Sequence, residues 1–110
     1  MKVSAVAKDV GISPLKVRLV VDVVRGKKVV DALHILRLLP TPTGRAVGKV
    51  VKSAAANAEN NFEIPLDTLK IAEIYADEGH KLKRFRAQAR GRAAPVIRRS
   101  THIKVVVTEE

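Results

Sequence analysis

Twenty-six consecutive residues, Gly79 to Lys104, hold nine basic side chains and no acidic one: Lys81, Lys83, Arg84, Arg86, Arg90, Arg92, Arg98, Arg99 and Lys104. A segment this charged cannot be buried in an aliphatic core. Its flanks also stop it from being a simple tail. Downstream, His102-Ile103-Lys104-Val105-Val106-Val107-Thr108 alternates as a strand, with Ile103, Val105 and Val107 on one face and His102, Lys104 and Thr108 on the other. Upstream, Leu69 to Ala76 is rich in β-branched and aromatic residues. Two such strands with Arg90-Gly91 midway between them predict an antiparallel hairpin over residues 79–102. At roughly 3.3 Å per residue, arms of about 11 residues reach about 35 Å, against a radius of gyration of about 13 Å for a compact domain of this size. The hairpin is therefore expected to protrude. An isolated two-stranded ribbon is marginal in water, so a binding partner is expected to order it.

The chain carries 21 basic and 11 acidic residues. With nine bases in the window, the remaining 12 nearly match the 11 acids, so the positive potential is concentrated in one place. Such an arm expects a polyanion. Arginine outnumbers lysine in Lys83-Arg84-Phe85-Arg86-Ala87-Gln88-Ala89-Arg90-Gly91-Arg92, and guanidinium groups suit phosphate oxygens and base faces. The window lacks the wide apolar face needed to enter lipid, which favours nucleic acid over a membrane surface.

The rest of the 110 residues read as one domain, 1–110, of α+β class. Three helices and three strands are expected, with the long hairpin arm protruding. A first strand is predicted over Val3–Lys8. Ser13 then precedes Pro14 as an N-cap, and Val17, Val20, Val21 and Val24 recur at helical spacing until Gly26 stops the helix. A second helix is expected over Val30–Leu39 with Leu33, Leu36 and Leu39 inward, broken by Pro40 and Pro42. A third is expected over Gly44–Asn60, with Val47, Val50, Val51, Ala54, Ala55 and Ala58 as its buried stripe. Phe62, Tyr75 and Phe85 are the three aromatic residues, so the core must be aliphatic. The chain has no cysteine, which excludes disulfides and thiolate metal sites. No apolar run approaches the roughly 20 residues of a membrane span and no signal-peptide pattern is visible, so a soluble, intracellular protein is expected.

Two further basic patches lie on the first helix. Lys16 and Arg18 occupy its opening turns with no acid beside them, where a bound phosphate would satisfy both the free amides and the cations. Solvated side chains on an amphipathic helix are the plainer alternative. Arg25-Gly26-Lys27-Lys28 forms the second cluster, at the other end of that helix.

With these residues in view, the chain resembles the bacterial large-subunit ribosomal protein L twenty-two family almost end to end. The resemblance rests on Ile12-Ser13-Pro14-Leu15-Lys16-Val17-Arg18-Leu19-Val20-Val21-Asp22, Arg25-Gly26-Lys27, Ser53-Ala54-Ala55-Ala56-Asn57-Ala58 and Ala76-Asp77-Glu78-Gly79. Leu82-Lys83-Arg84, Gly91-Arg92-Ala93 and Thr101-His102-Ile103 add to it. It implies a body of three helices packed on a three-stranded antiparallel sheet, and a cytoplasmic structural constituent of the large ribosomal subunit that binds and organises the large-subunit (23S) rRNA during assembly. The hairpin would line the nascent-peptide exit tunnel beside ribosomal protein L four. The implied partners are thus rRNA, neighbouring ribosomal proteins and the nascent peptide, with no membrane, and with a monomer outside the ribosome.

The rRNA-binding residues expected from charge and resemblance are Lys16, Arg18, Arg25, Lys27, Lys28, Lys81, Lys83, Arg84, Arg86, Gln88, Arg90, Arg92, Arg98, Arg99 and His102. In the implied tunnel role, Ala87, Gln88, Ala89, Arg90, Gly91 and Arg92 form the tip. There the small Ala87, Ala89 and Gly91 would leave room for peptide while Arg90 and Arg92 hold the wall. The family usually has Pro-Arg-Ala where this chain has Ala87, Gln88 and Ala89. Leu15 stands in place of a basic residue or Met, His80 in place of Pro, and Ser100-Thr101 reverses the usual order. Pro95 is expected to break the returning arm and cannot donate a ladder hydrogen bond.

Catalysis is a poor alternative. His34, His80 and His102 are scattered, His34 being expected half-buried on its helix, and their spacing suggests neither a metal ligand set nor a general base. Asp77 and Glu78 are adjacent in a strand and face opposite sides. Gly44-Arg45-Ala46-Val47-Gly48 lacks the Lys-Ser/Thr of a phosphate loop. No cofactor, metal or catalytic residue is therefore expected. A free nucleic-acid-binding regulator is the stronger rival, although the charge lies on a β arm rather than on a recognition helix.

Overall fold

The computed structural model describes residues 2–39, 41–79, 82–87 and 93–109, with 82–87 and 93–98 described as backbone. In chain order the elements are β1 (Lys2–Val10), α1 (Pro14–Val24), α2 (Val29–Leu38), α3 (Pro42–Phe62), a short 3₁₀ turn (Leu66–Thr68), β2 (Leu69–Glu78), β3 (Leu82–Ala87), β4 (Ala93–Arg98) and β5 (Thr101–Glu109).

Each helix follows from a buried stripe and a defined start. Ser13 is extended ahead of Pro14, although its hydroxyl makes no capping bond, and Val17, Val21 and Val24 are fully buried. Val20 is half-buried, and Gly26, at φ +78°, turns the chain away. In α2 the stripe is rotated from expectation. Val29, Ala32 and Leu36 are buried, whereas Leu33 and Leu39 are half-buried. His34 is exposed rather than half-buried, because it falls two residues from both Ala32 and Leu36 and so on the opposite side of the helix. The third helix starts at Pro42, two residues earlier than expected. Thr41 Oγ1 accepts from the Gly44 amide at 3.1 Å, and Pro42 occupies the first helical position, where its missing N–H costs nothing. Val47, Val50, Val51, Ala54, Ala55 and Ala58 are all buried, as their spacing predicts.

The body sheet has the order β1-β5-β2 and is antiparallel throughout. The register runs from Lys2↔Thr108 to Ala7↔Ile103 on one side of β5, and from Leu69↔Glu109 to Glu78↔Thr101 on the other, with a bulge between Ile71 and Glu73. α3 covers β1 and β5, α1 covers β2, and α2 packs on α3. Ile71, Ile74, Ile103, Val105 and Val107 meet this helical layer with no exposed surface. Phe62 and Tyr75 are exposed, so the core of the described body is aliphatic.

β3 and β4 form a separate antiparallel pair, in register from Leu82↔Arg98 to Ala87↔Ala93. β4 runs through Pro95, opposite Phe85, without interruption, contrary to the expected break. A two-stranded ribbon leaves outward positions where no ladder bond is needed, and proline is tolerated there. The molecule measures 62 × 25 × 18 Å with a radius of gyration of 16.9 Å, well above the roughly 13 Å of a compact domain of this length.

Candidate nucleic-acid interface

The arm leaves the body through a hydrogen-bonded root. The Gly79 amide donates to the Ser100 carbonyl at 2.9 Å, closing the gap between the ends of β2 and β5. The Ser100 hydroxyl donates to Asp9 Oδ1 at 3.3 Å, and the Thr101 hydroxyl, fully buried, donates to the Ile12 carbonyl at 2.6 Å. Asp9 adopts a left-handed backbone, φ +53°, that directs its amide to His102 Nδ1 at 3.0 Å. That bond makes Nδ1 an acceptor and leaves the ring proton on Nε2. Three chain segments, 9–12, Gly79 and 100–102, are thus tied at one point. Gly79 lets the segments close up there, since a Cβ would lie 2.6 Å from Ser100 Oγ and 3.2 Å from both Asp9 Oδ1 and His102 Cε1, and these side chains would have to shift. Asp77 pairs with His102 and Glu78 with Thr101 along the ladder, so acidic residues ring the root of a basic arm.

Beyond the root, Lys83, Arg84 and Arg86 pair with Ile97, Val96 and Ala94, and Arg98 pairs with Leu82. No cation lies directly opposite another across this ladder, which spares it the repulsion of like charges in register. Ala87 closes β3 opposite Ala93, and Arg99 is exposed at the root. Lys81 and the expected tip residues Gln88, Ala89, Arg90, Gly91 and Arg92 lie outside the described residues, as does His80.

The cations of α1 divide between two tasks. Lys16 is exposed in the first turn, which contains no acidic residue. Arg18 instead uses Nε to donate to the Ala76 carbonyl at 3.1 Å. Arg25 donates through Nη2 to the Ile74 carbonyl at 3.1 Å and through Nη1 to Asp22 at 2.8 Å. β2 is an outer strand, and Ile74 and Ala76 are two residues apart on it, so both carbonyls lie on the edge left open by β5. The same edge is covered earlier by the loop after α1. There the Ile71 amide donates to the Lys27 carbonyl at 3.0 Å, and Lys28 bridges Lys70. Arg18 and Arg25 are therefore edge caps of the sheet, a role that protects unpaired strand groups. Asn57 does the same for β1, its Nδ2 donating to the Ser4 carbonyl at 3.4 Å.

Four body cations escape the sequence reading. Ala32 to Ala58 contains no acid but holds Arg37, Arg45, Lys49 and Lys52. The structure brings all four to the rim of one groove between α2 and α3. The signal was present as an acid-free run with Arg45, Lys49 and Lys52 at helical spacing, but a near-neutral charge summed over the whole body concealed it. Among the described residues, no three His, Asp or Glu side chains converge as a metal site.

Comparison with known proteins bears on the whole arrangement. Residues 5–108 match the family described as ribosomal protein L22p/L17e. The chain is also 59% identical over 109 residues, 99% of its own length and 100% of the relative's, to the large ribosomal subunit protein uL22 of Dehalococcoides mccartyi strain BAV1. The protein of the same name from strain CBDB1 is similar to the same extent, 59% identical over 109 residues.

Proposed function

The chain belongs to the ribosomal protein L22p/L17e family, and from that premise we propose that it organises the large-subunit rRNA during assembly, with its hairpin lining the nascent-peptide exit tunnel. It is a protein of the large ribosomal subunit and works in the cytoplasm as part of that particle. Its partners there are rRNA, neighbouring proteins including ribosomal protein L four at the tunnel, and the nascent peptide.

The observation that carries the reading is the acid-free basic window, which leaves the body as a two-stranded arm from a root tied at Asp9, Gly79 and Ser100. Folding of RNA is opposed by phosphate repulsion, and cationic side chains between its helices neutralise that repulsion while releasing counterions. Phosphate contacts position the protein without reading sequence, so the arm recognises RNA by shape. With about eight phosphates met, log affinity falls against log salt with a slope of about −6 to −7. Lys16, at a helix start with free first-turn amides, is a second phosphate contact. Arg18 adds only what its Nη groups offer while Nε holds the Ala76 carbonyl.

Sedimentation of native lysate through a high-salt sucrose gradient tests the proposal, with the chain quantified against large-subunit RNA. One copy per large subunit, resistant to the wash, is expected. A chain found mostly free would instead mark a nucleic-acid-binding regulator.

A further inference from the structure

We propose that the groove between α2 and α3 is a docking site for an amphipathic helix of a protein partner, one carrying carboxylates along both edges of its apolar face. The groove has a volume of about 560 Å³ and a floor of Leu33, Leu36 and Leu39. Arg37 lies on its α2 side and Arg45, Lys49 and Lys52 on its α3 side, with no acidic residue among the described residues that line it. Among the described residues none of these four cations is ion-paired. An aliphatic floor between two unpaired cationic rims is the complement of a helix with leucine-like anchors flanked by Asp and Glu.

Gly48 supplies an independent reason to place a partner there. It sits inside α3, where glycine is a poor helix former. A Cβ at Gly48 would meet only Leu36, at 3.8 and 3.9 Å, which is ordinary contact. Among the described residues nothing therefore requires Gly48 to lack a side chain, in contrast to Gly44, where a Cβ would press on Leu39 at 3.1 Å. A glycine on a groove wall, unneeded by its own fold, lets another backbone approach closely. RNA fits the groove less well. Bases stack on aromatic faces, the lining has none, and a leucine floor offers phosphate nothing.

The test uses the full chain, labelled with ¹⁵N and titrated at about 0.15 M salt. The probe is a synthetic peptide of about four helical turns, with Leu at i, i+3, i+4 and i+7 and Glu between them. A scrambled peptide of identical composition and a uridine oligonucleotide are the comparisons. Saturable shifts of the Gly44 and Gly48 amides are expected, with affinity about tenfold above that of the scrambled peptide. Gly48→Leu should fill the groove and remove that advantage without lowering the melting temperature, since leucine favours the helix and its Cβ has room. The double variant Lys49→Glu, Lys52→Glu should weaken the patterned peptide as well. Equal binding of patterned and scrambled peptides would overturn the proposal, as would patterned binding indifferent to Gly48→Leu. Stronger displacement of the same amides by the oligonucleotide would assign the groove to RNA and likewise overturn it.

Discussion

The body and the arm are built from opposite materials. In the body, three strands carry a helical layer, and Val17, Val21, Val47, Ile74, Ile103 and Val105 lose all contact with solvent. The arm is a single antiparallel pair whose register sets cations opposite small or branched residues. The first derives its stability from buried aliphatic area; the second pairs two strands in a sheet of their own, and an isolated ribbon of that kind is marginal in water. The contrast teaches that the fold and most of the net charge are carried by separate parts of one short chain, joined at a few hydrogen bonds.

The most severe way to break this contrast is to excise Lys81–Arg99 and join Gly79 to Ser100 through a short turn. Affinity for large-subunit RNA should fall by about a thousandfold or more. The thermal and circular-dichroism profile of the body should stay cooperative, and a molten profile would show that the arm holds the core. The reciprocal change is Ile103→Ala, in the central strand, which should cost about 3 kcal/mol of unfolding free energy by urea titration. The salt slope of RNA binding should stay as it was. At the junction, Gly79→Ala forces a Cβ against Ser100, Asp9 and His102, and a loss of about 1–2 kcal/mol is expected. Beyond Gly79 and its chain neighbours, amide shifts should be confined to residues 9–12 and 99–102.

Smaller effects sharpen the boundary. Arg18→Gln removes the Nε donor from the Ala76 carbonyl and should cost about 1 kcal/mol, near the low end for a charged donor because the side chain stays in contact with water. If RNA binding fell sharply while stability was untouched, Arg18 would belong to the interface and not to the edge of the sheet. The least effect concerns Tyr75, whose phenol titrates above its ordinary value of 10.0, first through partial desolvation and then through the Glu73 carboxylate. The neutral phenol is thus the form favoured by folding. Its contribution is complete below the unfolded value and is lost as pH rises through the folded one. Tyr75→Phe should therefore flatten the alkaline end of the melting-temperature profile, and at neutral pH change it only by the loss of the exposed Tyr75–Glu73 hydrogen bond.

Much of the body was legible because buried stripes depend on spacing within one element. The alanines and valines of α3 and the alternation of β5 are local facts of that kind. Pro42 was misread because proline ends one helix and starts the next with the same chemistry, and only Thr41 on its other side decides. The double duty of Arg18 and Arg25 could not be read locally, since it depends on which strand is outermost and which edge faces α1. Val106 is similar. Its neighbours Val105 and Val107 face the helices, yet Val106 is buried on the other side of the sheet, across from Ser4 and Glu73. The arm was foreseen from charge, and its division into a separate sheet came from the root contacts of Gly79 and Ser100.

The position of β5 has a consequence for how the molecule comes into being. The strand that pairs with both β1 and β2 follows the arm in the chain. A chain synthesised from its N-terminus makes the helices, β2 and eight of the nine cations of the basic segment, Lys81 to Arg99, before the strand that unites them. The sheet cannot close until that last segment emerges, so no newly made molecule is ever a finished body still waiting for its arm. The moment at which the body closes is also the moment at which the arm first has a finished root.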